Sequence, residues 1–329
     1  MSLSAPARRL RAAARSALHA PSVFNSQPWS WRINGDTLLL YADRSRQLHS
    51  IDPDGRLLMI SCGAALHHAR TALAADGWSA EVECLPGAGH PDLLARIRLG
   101  AAVPPGPRTR RTAGAIRRRR TDRRPFGDRA VPENLLTRLR RCVELEGAYL
   151  HVVRQDQVPA LAVACEHAAG AEHEDPAYLA DLDRWTDRPA WRGDGVPAGT
   201  AVRPALRRVP VRDFAPGGTA GLVTGTGVDK GAAYVILFGS ADQPGDLLRA
   251  GEALSALLLL ATAEGLASAT LSEAVEVSWP RLLLRDLLSG LGEPYLAVRL
   301  GYRVSGQPVP ATPRRFPAEA IKVVAPRSG

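Results

Sequence analysis

Four short segments carry residues whose types and spacing could do chemistry. Arg117-Arg118-Arg119-Arg120-Thr121-Asp122-Arg123-Arg124 puts six guanidinium groups within eight residues. Read as one helix face, those charges repel one another and need solvent or a bound anion. Guanidinium groups fork onto phosphate oxygens and the Thr121 hydroxyl adds a donor, so a phosphate ester suits the run; a solvated cationic face is the alternative. Thr312-Pro313-Arg314-Arg315-Phe316-Pro317 offers two more Arg on a segment its prolines hold extended. Pro21-Ser22-Val23-Phe24-Asn25-Ser26-Gln27-Pro28-Trp29 reads as a turn whose Ser and Asn can bond backbone or ligand. Gly265-Leu266-Ala267-Ser268-Ala269-Thr270-Leu271-Ser272 is rich in small residues, which let backbone N–H groups approach a planar ligand.

The charge distribution points the same way. Of the net +9 over 329 residues, the stretch from Arg108 to Arg124 supplies +8 from nine Arg and one Asp. A duplex-binding surface spreads its cations over a face, so this pattern favours a small polyanion over nucleic acid. The chain has 40 Arg and only Lys230 and Lys322, so part of the Arg excess reflects a GC-rich coding sequence.

Composition closes off other classes. Hydrophobic residues at 45% and charged residues at 23% exclude disordered, collagen-like and disulfide-scaffold chains. The longest apolar run, Ala253 to Ala263, is far shorter than the ~20 residues of a membrane span and reads as a buried helix, so no membrane partner is expected. The N-terminus resembles a transit peptide in its Arg, Ala and Ser content, but Ala7 to His19 reads better as an amphipathic helix. Cys62, Cys84, Cys142 and Cys165 form no C-x-x-C pair, which predicts reduced thiols in a cytoplasmic protein. Glu166-His167 and Glu172-His173-Glu174 lack metal-ligand spacing and read as solvated side chains. His67-His68 reads as core-edge histidine. Gly217 to Gly231 matches neither glycine-rich phosphate loop.

The elements that must position these segments show a duplication. Gly63-Ala64-Ala65-Leu66 and Gly251-Glu252-Ala253-Leu254 each begin a run ending Ala75-Asp76-Gly77 or Ala263-Glu264-Gly265 with identical spacing. Each predicts a helix of about 12–14 residues closed by a glycine. Ile97-Arg98-Leu99-Gly100 and Val298-Arg299-Leu300-Gly301 end a strand-like segment in each unit. Two related α+β units follow, 1–107 and 108–329, packing their apolar helices together with a ligand crevice at the interface. A segment from about 171 to 229, rich in Pro and Gly and carrying Trp185, Trp191 and Phe214, is expected as an inserted lid, with a short helix over Pro176–Trp185.

Together these motifs resemble the flavin-dependent nitroreductase family in its Acg-like branch, over nearly the whole chain. The family's PSxxNxQPW turn stands at Pro21 to Trp29 and its RRSxR loop at Arg119-Arg120-Thr121-Asp122-Arg123. The branch's DPxGR…CGAAL segment stands at Asp52 to Arg56 and Cys62 to Leu66, and its TPRR ending at Thr312 to Arg315. The resemblance implies an α+β nitroreductase-like fold: two fused halves as an intrachain pseudo-dimer with an inserted lid-like segment. The first half has the turn and the second the Arg loop, while Gly147-Ala148-Tyr149 stands where a second turn would. One FMN site per chain is therefore implied, with a vestigial mirror site and a monomeric protein. By the same resemblance Arg119, Thr121, Arg314 and Arg315 hold the phosphate, Arg120 belongs to the same cofactor-binding loop, and Arg123 lies near the pyrimidine. Pro21, Ser22 and Asn25 line the cofactor from the other half, and the backbone of Ala269, Thr270 and Leu271 faces the ring. The implied activity is oxidoreduction at flavin N5 without a catalytic side chain. NAD(P)H would be the donor and a nitroaromatic, quinone or other small molecule the acceptor. An FMN-sequestering protein without turnover is the alternative.

Overall fold

In the computed structural model, residues 4–87, 89–203, 205–214, 220–304 and 307–324 are described; positions 204 and 215–219 of the predicted lid lie outside them. In chain order the first half contains α1 (Ala5–Ala17), β1 (Trp29–Asn34), β2 (Thr37–Ala42), α2 (Arg56–Ala75), β3 (Trp78–Cys84) and β4 (Leu93–Ala102). The second contains α3 (Pro107–Ala115), α4 (Glu133–Glu144), β5 (Tyr149–Val152), α5 (Val158–Glu174), α6 (Pro176–Trp185), β6 (Ala233–Gly239), α7 (Pro244–Ala263), β7 (Ala267–Leu271), α8 (Glu273–Glu276), α9 (Ser278–Leu287), β8 (Glu293–Gly301) and β9 (Ile321–Val324).

The duplication is visible in the sheets. The first is ordered β3-β4-β2-β1 and the second β7-β8-β6-β5, with every one of those neighbours antiparallel. Strand for strand this is one topology used twice. The last strand breaks the symmetry, because β9 pairs parallel with β1, Trp31 opposite Ile321. The chain thus ends on the sheet of its first half.

The two central helices are longer than the motif suggested, 20 residues each. Both start well before the glycine that the sequence comparison used. Asp52 accepts hydrogen bonds from the Leu57 and Leu58 amides at 3.0 and 2.8 Å, satisfying free donors at the start of α2. Gly55 turns into that helix at φ 72°, and Arg56 forks onto Asp242 at 2.7 and 2.8 Å, tying it to the second half. Helix α7 opens on Pro244 with a reciprocal cap between Gln243 and Asp246.

Gly63 and Gly251 therefore sit in mid-helix, where α2 crosses α7. A Cβ on Gly63 would lie 2.0 Å from the Leu248 carbonyl oxygen, and one on Gly251 2.0 Å from that of Ile60. Only glycine lets the two backbones meet, and this explains why the motif recurs. Around the crossing, residues from both halves merge into one hydrophobic core.

Three further expectations are corrected. Helix α3 ends at Ala115, so the Arg run leaves the helix and is irregular from Arg119 onward. Helix α5 continues to Glu174, so the insertion opens at α6, which spans Pro176–Trp185 as expected. Trp185 is buried with Phe24 and Tyr178, but Trp191 of the same segment is 70% exposed.

Candidate functional site

A cleft of about 1060 Å³, open solvent included, lies between the halves. The Pro21–Asn25 turn with Leu57, Ile60 and Ser61 of α2 forms one wall. Arg119, Thr121, Arg123, Ala269, Thr270 and Glu273 of the second half face it. Thr312 and Arg314 close one end, and Val196, Thr200, Val211, Arg212 and Phe214 of the insertion line the rest. Nine of the twelve expected site residues thus meet in one cavity, drawn from both halves.

The other three do not line it. Arg120 turns back to donate to the Arg117 and Arg119 carbonyls at 2.8 Å. Arg315 donates to the Gln27 and Trp29 carbonyls at 3.1 and 3.0 Å, with Asp43 at 3.5 Å. The Leu271 side chain is packed in the main core.

The Arg loop is held from behind. Thr121 forms an isolated parallel bridge with Ser268, and the Asp122 amide donates to the Ser268 carbonyl at 2.9 Å. Asp122 pairs with Arg124 and Arg303 at 2.7 and 3.0 Å. Beneath them Arg299 of β8 and Asp229, both 0% exposed, pair at 2.6 Å. Arg299 also donates to the carbonyls of Asp122 and Arg124 at 3.1 and 2.9 Å, while Asp229 accepts from the Phe126 amide. Sequence reading passed over this buried pair. Its only signal was a cation inside the apolar strand Pro294-Tyr295-Leu296-Ala297-Val298-Arg299-Leu300.

The turn of the first half is locked into the far side. Phe24, Asn25 and Gln27 all have positive φ, 48°, 53° and 50°, a region non-glycine residues rarely adopt. Surrounding bonds hold them there. Asn25 Nδ2 donates to the carbonyls of Gly195 and Pro313 at 2.9 and 3.1 Å, and Oδ1 accepts from Arg314 at 3.0 Å. Gln27 donates to the Gly193 carbonyl at 2.7 Å and accepts from the Arg315 amide at 3.0 Å. Asn25 and Gln27 are therefore committed to the insertion and the C-terminal arm. The insertion is bonded to the site as one of its walls.

Charge is concentrated at the Arg314 end. Arg119 is buried and Arg314 half-buried, and neither has a carboxylate partner among the described residues; Arg314 donates to the His19 and Pro313 carbonyls at 3.2 and 2.9 Å, but the Nε of each has no acceptor. Burial and the neighbouring guanidinium groups push Arg119 down to about 10 and Arg314 down to about 9. A guanidinium does not deprotonate in this range, so the depression marks cations that burial first, and like charge second, leaves poorly compensated, a cost that an anion would relieve. His19 is held down at about 4 by its burial and by the same cations. Farther in, Arg123 reaches the Thr200 carbonyl at 3.3 Å and stacks over Phe214 at 4.2 Å.

Behind Arg123 lies a second buried cluster. Arg212 pairs with Glu172 of α5 at 2.8 Å and with Glu276 of α8. Burial raises Glu273, and raises Glu276 to about 8. Glu172 is thus not the solvated side chain that its spacing suggested, whereas His173 and Glu174 are exposed.

The opposite side of the helix pair differs. Where α2 presents Ser61, α7 presents Arg249, which pairs with Asp246 at 2.6 Å. Arg70 bridges Glu146 and Glu252 at 2.7 and 2.5 Å. Ser255 bonds His67 and His68 at 2.7 and 2.8 Å. Ion pairs fill that side.

No family model matches the chain. A Mycobacterium tuberculosis protein of uncharacterised function is 37% identical over 320 residues, 95% of this chain and 92% of the relative. Another from that organism, bearing the name NAD(P)H nitroreductase acg, is 36% identical over 311 residues, 93% of each chain. Among solved structures, a Bacteroides fragilis nitroreductase with bound FMN is 17% identical at a TM-score of 0.37, covering 60% of this chain and 90% of that one. One from Desulfitobacterium hafniense with bound FMN is 14% identical at 0.38, covering 60% and 92%.

Proposed function

The chain belongs to the nitroreductase family, in its Acg-like branch, and from that membership we propose that it holds one FMN in the cleft and works as an FMN-dependent oxidoreductase. NAD(P)H is the electron donor, and a quinone, nitroaromatic or other small organic molecule the acceptor. The observation that carries this reading is the pair Arg119, buried, and Arg314, half-buried, whose Nε atoms have no acceptor and which line one cleft. A phosphate would supply acceptors to those free donors.

The residues present suit the cofactor. Arg119, Thr121 and Arg314 would hold the phosphate, with Arg120 and Arg315 outside that shell. Asn25 orients Arg314, and Ser22 with Pro21 lines the cofactor from the first half. Ala269 and Thr270 give the ring a flat wall. Bound FMN supplies two-electron hydride chemistry through N5. Arg123 would stand near the pyrimidine, where a cation stabilises the negative charge that reduction builds there. The Arg299–Asp229 pair holds the carbonyls of Asp122 and Arg124, on either side of Arg123.

One observation favours a second reading, storage of FMN without turnover. Thr200, Val196 and Phe214 of the insertion already line the cleft, and nicotinamide must stack on the flavin to react. The absorbance of purified protein, followed by mixing with NADPH under argon, separates the readings. Yellow protein that bleaches supports the enzyme, yellow protein that stays coloured supports storage, and colourless protein refutes both.

A further inference from the structure

Glu273 opens α8 directly after β7, lines the cleft and is 4% exposed. Its Oε1 is buried and has no hydrogen-bond partner among the described residues. The groups around it come from every neighbouring element: Glu172 and Cys165 from α5, Tyr178 from α6, Arg212 from the insertion, Arg123 from the Arg loop and Glu276 from α8 itself. Glu172, Glu273 and Glu276 are three carboxyl groups set against the guanidinium groups of Arg123 and Arg212. Fully ionised, the cluster would leave one buried negative charge uncompensated, which is costly. One shared proton removes it. Burial raises both α8 carboxyls, Glu276 to about 8, which favours a proton held on the α8 pair.

We infer that Glu273 is a catalytic residue, the proton donor to the acceptor reduced in this cleft, resupplied from the Glu276–Glu172–Arg212 cluster behind it. The inference rests on the flavin reading of the cleft and names the acceptor class: two-electron acceptors that must gain a proton, such as quinones. The acceptor receives a hydride from the reduced cofactor, which is one proton with two electrons. It receives its second proton from Glu273, whose O–H bond breaks as the acceptor O–H bond forms. The carboxylate left behind regains a proton from the cluster and, through it, from water.

The test reduces the holoprotein with dithionite under argon and follows flavin reoxidation by stopped flow. Two oxidants are compared: p-benzoquinone, which must be protonated, and ferricyanide, which takes electrons alone. In the wild type the quinone rate should fall as pH rises past the carboxyl's raised pKa, and the ferricyanide rate should not. Glu273→Gln should slow the quinone step about 100-fold or more, the range of general acid catalysis, and abolish its pH dependence. The ferricyanide rate should be unchanged, which a merely structural role would not produce. Equal slowing with both oxidants, or an unchanged quinone rate, overturns the inference. If Glu273→Gln loses flavin, Glu273→Asp decides: the carboxyl withdrawn by one methylene should give a slower quinone step with its pH dependence kept, and an unchanged rate overturns the inference. Wild-type protein that holds no flavin refutes the underlying reading instead.

Discussion

At the scale of single residues, the site's charges divide into those that face the cleft and those that build it. Arg119→Ala and Arg314→Ala each remove a charge-assisted contact worth ~1.5–3 kcal/mol, so FMN should bind roughly 10- to 150-fold more weakly, measured by flavin fluorescence titration. Arg315→Ala should act differently. Its guanidinium holds the Gln27 and Trp29 carbonyls, so the variant should lose thermal stability while changing FMN affinity less than Arg314→Ala does. The two adjacent arginines look equivalent in the sequence, and only the direction of each side chain separates them. His67 gives a pH prediction. Burial lowers it to about 4 from an ordinary 6.5, so the unfolded chain binds its proton more readily than the folded one. The stabilisation is complete above pH 6.5 and is lost as pH falls from 6.5 towards 4. At ~1.4 kcal/mol per pKa unit that is about 3 kcal/mol, and His67→Gln should make stability from urea unfolding fall less steeply between pH 6.5 and 4, with His19 and His68 supplying the remainder.

At the scale of elements, the crossing of α2 and α7 is the feature most legible in the sequence. The repeated Gly-x-Ala-Leu motif marked it because no other residue fits between two touching backbones. Gly63→Ala should therefore cost ~3 kcal/mol, the upper end for overpacking, since a carbonyl oxygen 2.0 Å away cannot rotate aside. Equilibrium urea unfolding measures it, and a loss below ~1 kcal/mol would show that the helices can slide apart. The insertion was far less legible. Its links to the turn include the carbonyls of Gly193 and Gly195, and backbone acceptors leave no mark on residue type. A lid that only covered the cleft could be excised without loss of FMN. With Asn25 and Gln27 anchored on that segment, and Asn25 orienting Arg314, excising 190–226 should weaken FMN binding, read by the same titration. The Arg299–Asp229 support was hidden for another reason: one cation in a strand looks the same whether it faces solvent or a buried carboxylate.

At the scale of the whole molecule, the chain is one topology used twice and then made unequal. The two sheets share strand order and the two long helices share their glycine. The turn with its strained Phe24 and Asn25 exists only in the first half, and the Arg loop only in the second. The missing turn at Gly147-Ala148-Tyr149 was legible as an absence. The return of β9 to the first sheet was not, because Ile321-Lys322-Val323-Val324 could extend any open edge. That return carries Arg314 across to the turn it serves. On the opposite side of the helix pair, Arg70, Glu146, Glu252 and Arg249 occupy the mirror position with ion pairs. The central claim is therefore one complete flavin site per chain. Releasing the flavin from purified, FMN-saturated protein by denaturation, and counting it against protein, tests this most directly. The account predicts one FMN per 329-residue chain; a ratio near two would show the mirror site intact, and a ratio near zero would show that the cleft is not a flavin site.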